Sequence, residues 1–456
     1  MLKRLGLWMR ADDDGDGALL RRRLFWTGFV LRVLYVLVSH SYRVRPLNDH
    51  FQFGWEAGRI ARALVTGYGY ADPFTGHSGP TAWLAPGYPL LMAAVFKVFG
   101  VYTALSAFVL LVLNSVFSAA IAPAVYEIAR RCYGAQGLGR RVALWSGWIW
   151  ALYPAAMQYA VRWFWEMSIS TWAFTWILVI ALRLRGIGDE RAGTRHNRLG
   201  LWSGFGLLWG VIVLFNPSLV LLLPVTAVWI LAGSRSGADL RRGMGYATLA
   251  GVLFLGCVMP WVYRNWKVFH AFIPTRGNLG AELYESMLPS NGGFPWGTTI
   301  PAVVESPVFQ HYREVGEAAF VREQGAKANA MIAAHRERFV RYSLQRVYFF
   351  WCGVPKPEED HGVLSEATRR LNYCFISLAG VMGLGLSLRR RMPASWLILG
   401  IFLVLPIPYY LLTVQARFRH PMEPVMTVLI VFLFQSAQAR SAQPATSQRT
   451  TGALAQ

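Results

Sequence analysis

Charge is scarce in this chain, and negative charge scarcer still. Only 15% of the 456 residues are Asp, Glu, Lys or Arg, and 24 acidic residues stand against 45 basic ones. With a 54% hydrophobic content and a mean hydropathy of +0.34, this excludes an ordinary soluble domain. Cysteine is sparse as well. Cys132, Cys257, Cys352 and Cys374 show no C-x-x-C spacing, so neither a disulfide framework nor a zinc site is supported. The nine histidines are scattered without an H-E-x-x-H pattern. The run Asp12-Asp13-Asp14-Gly15-Asp16-Gly17 opens like a calcium loop, but Arg23 stands where the closing glutamate belongs. Glu358-Glu359-Asp360-His361 has ligand-type residues without a geometry and reads as a solvated loop. No internal repeat is visible, and no secretory cleavage signature follows the first apolar run, which therefore reads as an uncleaved anchor.

What the chain does have is long apolar sequence. Phe108 to Val125 and Met244 to Val262 contain no acidic or basic residue. They approach the roughly 20 residues that carry a helix across about 30 Å of hydrocarbon. Continuous rather than alternating runs select helices over a barrel, so the predicted class is an all-α polytopic membrane protein. The net charge of +21 falls largely in short clusters between apolar runs: Arg21-Arg22-Arg23, Arg130-Arg131 with Arg140-Arg141, Arg183 to Arg198, Arg241-Arg242 and Arg389-Arg390-Arg391. That placement follows the positive-inside rule and argues against nucleic acid as a partner; anionic membrane lipid is the fitting one.

Placing 1–23 in the cytoplasm sends the first span, about Leu24 to His40, outward. Further spans are expected at about Thr103–Ala129, Val142–Tyr159, Met167–Ala181, Leu199–Phe215, Ser218–Leu231, Met244–Val262, Leu371–Leu386, Ala394–Val414 and Met422–Phe434. These make about ten spans with both termini inside. The expected organisation is a membrane module at 24–262 with a first external loop at 41–102, an external region at 263–366, terminal spans at 367–434 and a disordered cytoplasmic tail at 435–456. Pro86 to Phe99 is too short to cross and reads as interfacial or re-entrant. The first loop is expected to hold a helix from Phe51 to Val65, with Phe53, Ile60, Ala61 and Leu64 on one face. A second helical stretch is expected from His311 to Arg346.

The candidate chemistry lies at span ends on the outer side. Asp49 is either an N-cap of the Phe51 helix or a general base, and position does not separate the two. Glu56 lies two turns further along the same predicted face. Arg162 and Glu166 share a short external turn, as a surface ion pair or as a second acidic site. Arg264, Arg417 and Arg419 are basic on the face where the positive-inside rule does not call for them. Interfacial snorkelling explains any one of them; a lipid-borne phosphate gripped by guanidinium forks explains all three.

These pieces together resemble the GT-C glycosyltransferases, specifically a bacterial family-39-like branch related to protein O-mannosyltransferases and lipid A aminoarabinose transferases. The resemblance runs from about Leu24 to Pro424. It is carried by Asp49, Gly67-Tyr68-Gly69-Tyr70, Pro86-Gly87-Tyr88-Pro89, Pro260 to Asn265 with Pro274 and Gly280, Gly316-Glu317, Phe350-Trp351, and Ala416-Arg417-Phe418-Arg419-His420-Pro421-Met422-Glu423-Pro424. It implies inverting transfer of a sugar from a polyprenyl-phosphate donor to a glycan, lipid or protein acceptor. It also implies an inner (plasma) membrane protein with its active site on the periplasmic or extracellular side. By the same resemblance Asp49 acts near the acceptor and Glu166 takes the place of a second-loop acidic residue. Glu56, Arg162, Arg264, Arg417, Arg419 and Tyr88 are the candidate substrate-binding residues. No cofactor follows from the sequence, and a divalent cation stays open because relatives differ. Two departures stand out: Asp49-His50-Phe51 replaces the Asp-Glu or Asp-Tyr of many relatives, and Leu84-Ala85 stands where many carry a basic residue. The competing reading is a transporter or flippase for a lipid-linked or small polar substrate, which would favour internal repeats and mid-membrane ionisable groups.

Overall fold

The continuous apolar runs fold as helices. The computed structural model describes residues 15–44, 53–134, 139–188, 198–234, 236–289, 306–354 and 363–441. Among them there is no strand, only an isolated antiparallel bridge between Ala71 and Pro80. Five helical stretches are long and apolar enough to cross a membrane: Ala104–Tyr133, Met167–Leu184, Arg198–Phe215, Gly237–Phe269 and Glu366–Arg389. The first of these is two helices in series, α4 (Ala104–Ala119) and α5 (Ile121–Tyr133). Of the other expected spans, the first and the tenth lie in continuous helices, Gly15–Ser39 and Glu423–Ser441, and three are interrupted. The expected third span divides at Tyr153-Pro154 into α6 (Gly139–Leu152) and α7 (Pro154–Val161). The sixth is a 3-10 turn, Pro217–Leu221, running into α10 (Leu222–Leu231), and the ninth splits into α17 (Ser395–Val404) and α18 (Ile407–Leu411). Proline accounts for these breaks, since it lacks the N–H that continues a helix.

Three expected boundaries move. In the first external loop, α2 spans Glu56–Val65 and starts well after Phe51, because Gly54 and Trp55 have φ of 84° and 54°. Trp55 is its N-cap residue, so the capping role weighed for Asp49 is taken, and Asp49 itself lies outside the described residues. That left-handed pair also breaks the continuous helix face on which Asp49 and Glu56 were paired. Helix α11 (Gly237–Phe269) runs through Pro260 and stops only at His270, which is left-handed with φ 50°. Arg264 therefore sits on a helix rather than at a loop entrance. The stretch from His311 to Arg346 is three helices, α13 (Pro307–Val315), α14 (Glu317–Ala334) and α15 (Arg336–Cys352), separated by Gly316 (φ 78°) and His335.

The largest buried core draws on α5, α6, α8 (Met167–Leu184), α9 (Arg198–Phe215) and α19 (Glu423–Ser441). Two ionisable side chains are buried there with polar partners. Arg32 of α1 (Gly15–Ser39) is 0% exposed and donates to Ser118 Oγ at 3.0 Å and to the Gly28 and Ala151 carbonyls. Glu127 collects Arg130 and Arg131, at 3.0 and 2.6 Å, and Arg183 at 3.9 Å. Read in the sequence as cytoplasmic surface charge, Arg183, and Arg131 through the Ile187 carbonyl, also tie α5 to α8 and the turn after it.

Helix α3 (Gly87–Phe99) packs its start against the end of α9. A Cβ on Gly87 would lie 2.6 Å from Phe215 Cδ2 and 2.8 Å from the Leu214 carbonyl, so the Pro-Gly-Tyr-Pro glycine is a close-approach position. A smaller core joins the two external segments, with Phe74 and Trp83 of the first packed on Ala281, Phe309, Tyr312 and Phe320 of the second.

Candidate active site

The irregular first loop is rich in Gly and Pro and has no ladder to satisfy its main chain, so side chains from the second segment do it. Arg264 donates to the Thr81 and Tyr70 carbonyls at 2.6 and 2.7 Å and to Asn265 Oδ1 at 2.9 Å. The rings of Trp261, Tyr70 and Phe269 surround its guanidinium at 5.1 to 5.5 Å. The Tyr70 hydroxyl donates to the Leu84 and Ala85 carbonyls. Glu317 is buried and accepts from Thr81 Oγ1, the Ala82 N–H and Tyr312 Oη; burial raises its pKa against those bonds. Gly316-Glu317 is thus a clasp between the segments, a role its sequence position did not disclose.

Within this frame four charged groups interact electrostatically. Glu166 caps the start of α8, and its carbonyl accepts the Ile169 and Ser170 N–H groups. Burial raises its pKa, opposed by Arg417 and Arg276. Arg417, in the 3-10 turn Ala416–Met422, also faces Glu56 at the start of α2. Its guanidinium carbon lies 4.1 Å from the centre of the Trp165 ring and 5.3 Å from that of Phe418. Yet Arg417 has no hydrogen bond or ion pair within 4.0 Å among the described residues, and its Nε is buried without a partner. Among the described residues it is a cation anchored by rings and left without a hydrogen bond or close ion pair.

The other candidates fall elsewhere. Arg419 is 1% exposed; it donates to Ser377 Oγ at 2.6 Å, pairs with Glu423 at 3.3 Å and lies 3.4 Å over Tyr373. His420 shares Glu423 at 2.9 Å. This half of the Arg-Phe-Arg-His motif is enclosed in the protein. Arg162 is exposed beside the ring of Tyr35, at 5.8 Å. Tyr88 is buried, its hydroxyl accepting from Asn114 Nδ2 at 3.0 Å, and it lies within electrostatic reach of Glu166.

Arg276 was missed by the sequence reading. It donates from Nε to the Trp83 carbonyl at 3.2 Å and pairs with Glu282 at 2.8 Å, while acting on both Glu166 and Arg417. A basic group is thereby delivered in space beside Leu84-Ala85, where the sequence lacks one. The charge-placement argument that selected Arg264 would have found it, since it lies in the same external region.

No group of three or more His, Cys, Asp or Glu that could hold a metal ion occurs among the described residues. Glu56 and Glu166 both face Arg417, whose charge disfavours a cation between them, so the described residues do not fit one.

No protein-family model and no curated protein matches the chain. Solved structures do match it. One is the oligosaccharyltransferase of Archaeoglobus fulgidus tethered with an acceptor peptide, at 14% identity over 91% of this chain and 50% of that chain, with a TM-score of 0.51. Another is the same organism's AglB in complex with an inhibitory peptide and a dolichol-phosphate, at 14% identity over 91% and 50%, with a TM-score of 0.50. ArnT from Cupriavidus metallidurans, bound to undecaprenyl phosphate, scores lower, at 0.39 with 16% identity over 90% of this chain and 78% of that chain. The chain spans about half the length of the oligosaccharyltransferases it matches. What the likeness establishes is the fold, an all-α polytopic membrane architecture shared with those oligosaccharyltransferase structures.

Proposed function

We propose that this chain is an inverting membrane glycosyltransferase, moving a sugar from a polyprenyl-phosphate donor to an acceptor at the external face of the inner membrane. The observation that carries the reading is Arg417, a guanidinium held over Trp165, facing two carboxylates and without a hydrogen bond among the described residues. The acceptor oxygen attacks the anomeric carbon. The bond from that carbon to the phosphate oxygen breaks, the phosphate departs with the electron pair, and the acceptor proton passes to a carboxylate. Direct displacement inverts the anomeric centre. Arg417 suits the growing charge on the phosphate, and Arg276, tied to Trp83 and Glu282, adds positive charge beside Glu166.

For the proton, two carboxylates are in play. Asp49 holds the role by resemblance; Glu166 is supported by its surroundings, since a carboxylate raised above its ordinary pKa is a stronger base at neutral pH. Glu56 is a supporting charge. Arg264 and Arg419, with their bonds to carbonyls, Ser377 and Glu423, serve the site by holding its frame.

A transporter reading would look to Arg32 and Glu127, ionisable groups inside apolar helices. Both are engaged by partners that join helices, which favours a structural duty.

The test is transfer from radiolabelled polyprenyl-phosphate hexoses into membrane extract, with Asp49→Asn and Glu166→Gln compared at equal membrane levels. Loss of about a hundredfold or more in one variant names the base. Undiminished transfer in both would sink the assigned chemistry, and lipid translocation without transfer would turn the reading to a flippase.

A further inference from the structure

Beside Glu166 the rings form a ladder. Trp163 and Trp165 stack with centres 4.6 Å apart and planes inclined by 5°. Arg417 lies 4.1 Å from the centre of Trp165, and Trp55 meets the same indole edge-on at 5.9 Å. The parallel ring and the guanidinium both pack on Trp165. Trp163 has no further ring partner among the described residues and is 39% exposed.

The segment carrying it is fixed. Its carbonyl accepts from Asn114 Nδ2 at 3.1 Å, and Asn114 is fully buried. The next residue, Phe164, is buried and stacks on Phe53 at 4.7 Å. Charged residues adjoin the paired indoles in the chain: Arg162 precedes Trp163, Glu166 follows Trp165, and Glu56 follows Trp55.

The geometry points to a platform on Trp163 for a hexopyranose ring of the acceptor, which makes the acceptor a glycan. The C–H hydrogens on one face of a pyranose carry partial positive charge and meet the negative face of an indole, while its hydroxyls point sideways to polar partners. An interfacial belt tryptophan needs one amphipathic ring; two parallel indoles backed by an arginine instead make a flat, preorganised surface. The donor sugar is a poorer occupant. It is bonded directly to the phosphate assigned to Arg417, whereas Trp163 stands beyond a second indole. The inference rests on the proposed transfer for the word acceptor, but the binding does not.

Saturation-transfer NMR on the full-length protein in a sugar-free detergent would use methyl glucopyranoside, mannopyranoside and galactopyranoside as probes. At least one should receive magnetisation strongest on its C–H face. The signal should fall about fivefold or more in Trp163→Leu and largely return in Trp163→Tyr. No signal from any of the three, an equal signal in Trp163→Leu, or a loss that Tyr does not restore would each overturn the platform. In transfer assays Trp163→Leu should raise KM for a glycan acceptor and leave the donor KM unchanged. A rise confined to the donor overturns the acceptor assignment. Binding is read without transfer, so platform and transfer can fail separately.

Discussion

Replacing Arg417 by glutamine removes a charge that makes no hydrogen bond or close ion pair among the described residues, though it takes some compensation from Glu166. What the fold loses is a cation over Trp165 at 4.1 Å, about 0.5–2 kcal/mol, partly offset because a buried, unpartnered Nε disappears with it. What transfer loses is larger. A guanidinium fork on a departing phosphate is a charge-assisted, preorganised interaction that strengthens as charge develops, and removing such a donor costs about 10²–10³ in kcat. Arg417→Lys keeps the charge without the fork and should retain roughly a tenth of the activity.

Arg419, two residues on, supplies the control. Its glutamine variant loses the Ser377 bond, the stacking on Tyr373 and half of the pairing of Glu423. Leaving a buried carboxylate under-compensated costs about 3–5 kcal/mol, enough to lower membrane level and melting temperature together. Both variants are measured for transfer per mole of folded protein and for thermal unfolding in detergent. Arg417→Gln should lose transfer at near-normal stability, and Arg419→Gln should lose stability first. Normal transfer by Arg417→Gln, or a loss of transfer only in step with unfolding, would refute the assignment of an unpaired, functional cation.

Glu166 must be ionised to accept a proton, and burial lifts its pKa while Arg417 and Arg276 oppose the shift. Transfer should therefore fall as pH drops through that raised value, and Arg276→Gln should move the acid limb to higher pH in a pH–rate profile; a limb that stays put removes Glu166 as the base. Glu317→Ala leaves Thr81 Oγ1, the Ala82 N–H and Tyr312 Oη without their acceptor. The expected cost is about 2–4 kcal/mol, seen as a lower melting temperature and faster proteolytic cleavage in the first external loop with helical content unchanged. Gly87→Val places methyl groups into Phe215 and the Leu214 carbonyl and should destabilise by about 1–3 kcal/mol, Gly87→Ala by less; a neutral Gly87→Val would show that α3 and α9 can separate freely.

Apolar periodicity and length disclosed the helical class and the long spans, because burial in hydrocarbon leaves a sequence few other solutions. The breaks were harder to read. Pro154 and Pro406 are visible, but whether a proline ends a helix, as at Pro154, or rides inside one, as Pro260 does in α11, depends on neighbours that pair the freed carbonyl. The start of α2 was misplaced because Gly54 could be seen as permissive, while the left-handed Trp55 beside it is a tertiary outcome. At the site, charge placement picked out Arg264, Arg417 and Arg419 as one class. Their separation into two carbonyl- and carboxylate-bound arginines and one unpaired one is a matter of geometry alone. Arg276 was within reach of the same charge-placement argument, but its partners, the Trp83 carbonyl and Glu282, are set by the tertiary fold.

That separation has a physical origin in the first external loop. Residues 70 to 85 form no helix and pair with themselves only around the Ala71–Pro80 bridge, so much of their polar main chain must find side-chain partners or face a desolvation cost. Arg264 takes the carbonyls of Tyr70 and Thr81, Arg276 that of Trp83, Tyr70 those of Leu84 and Ala85, and Glu317 the Ala82 N–H. A loop of this kind therefore requires cations and a carboxylate on the outer side for purely structural reasons, and an outward arginine is not by itself a sign of phosphate. The sign is a guanidinium that the loop does not use. Arg417 meets that condition: it is held in place by indole and phenyl rings, which fix its position without occupying its hydrogen-bond donors, and so it keeps them for a ligand.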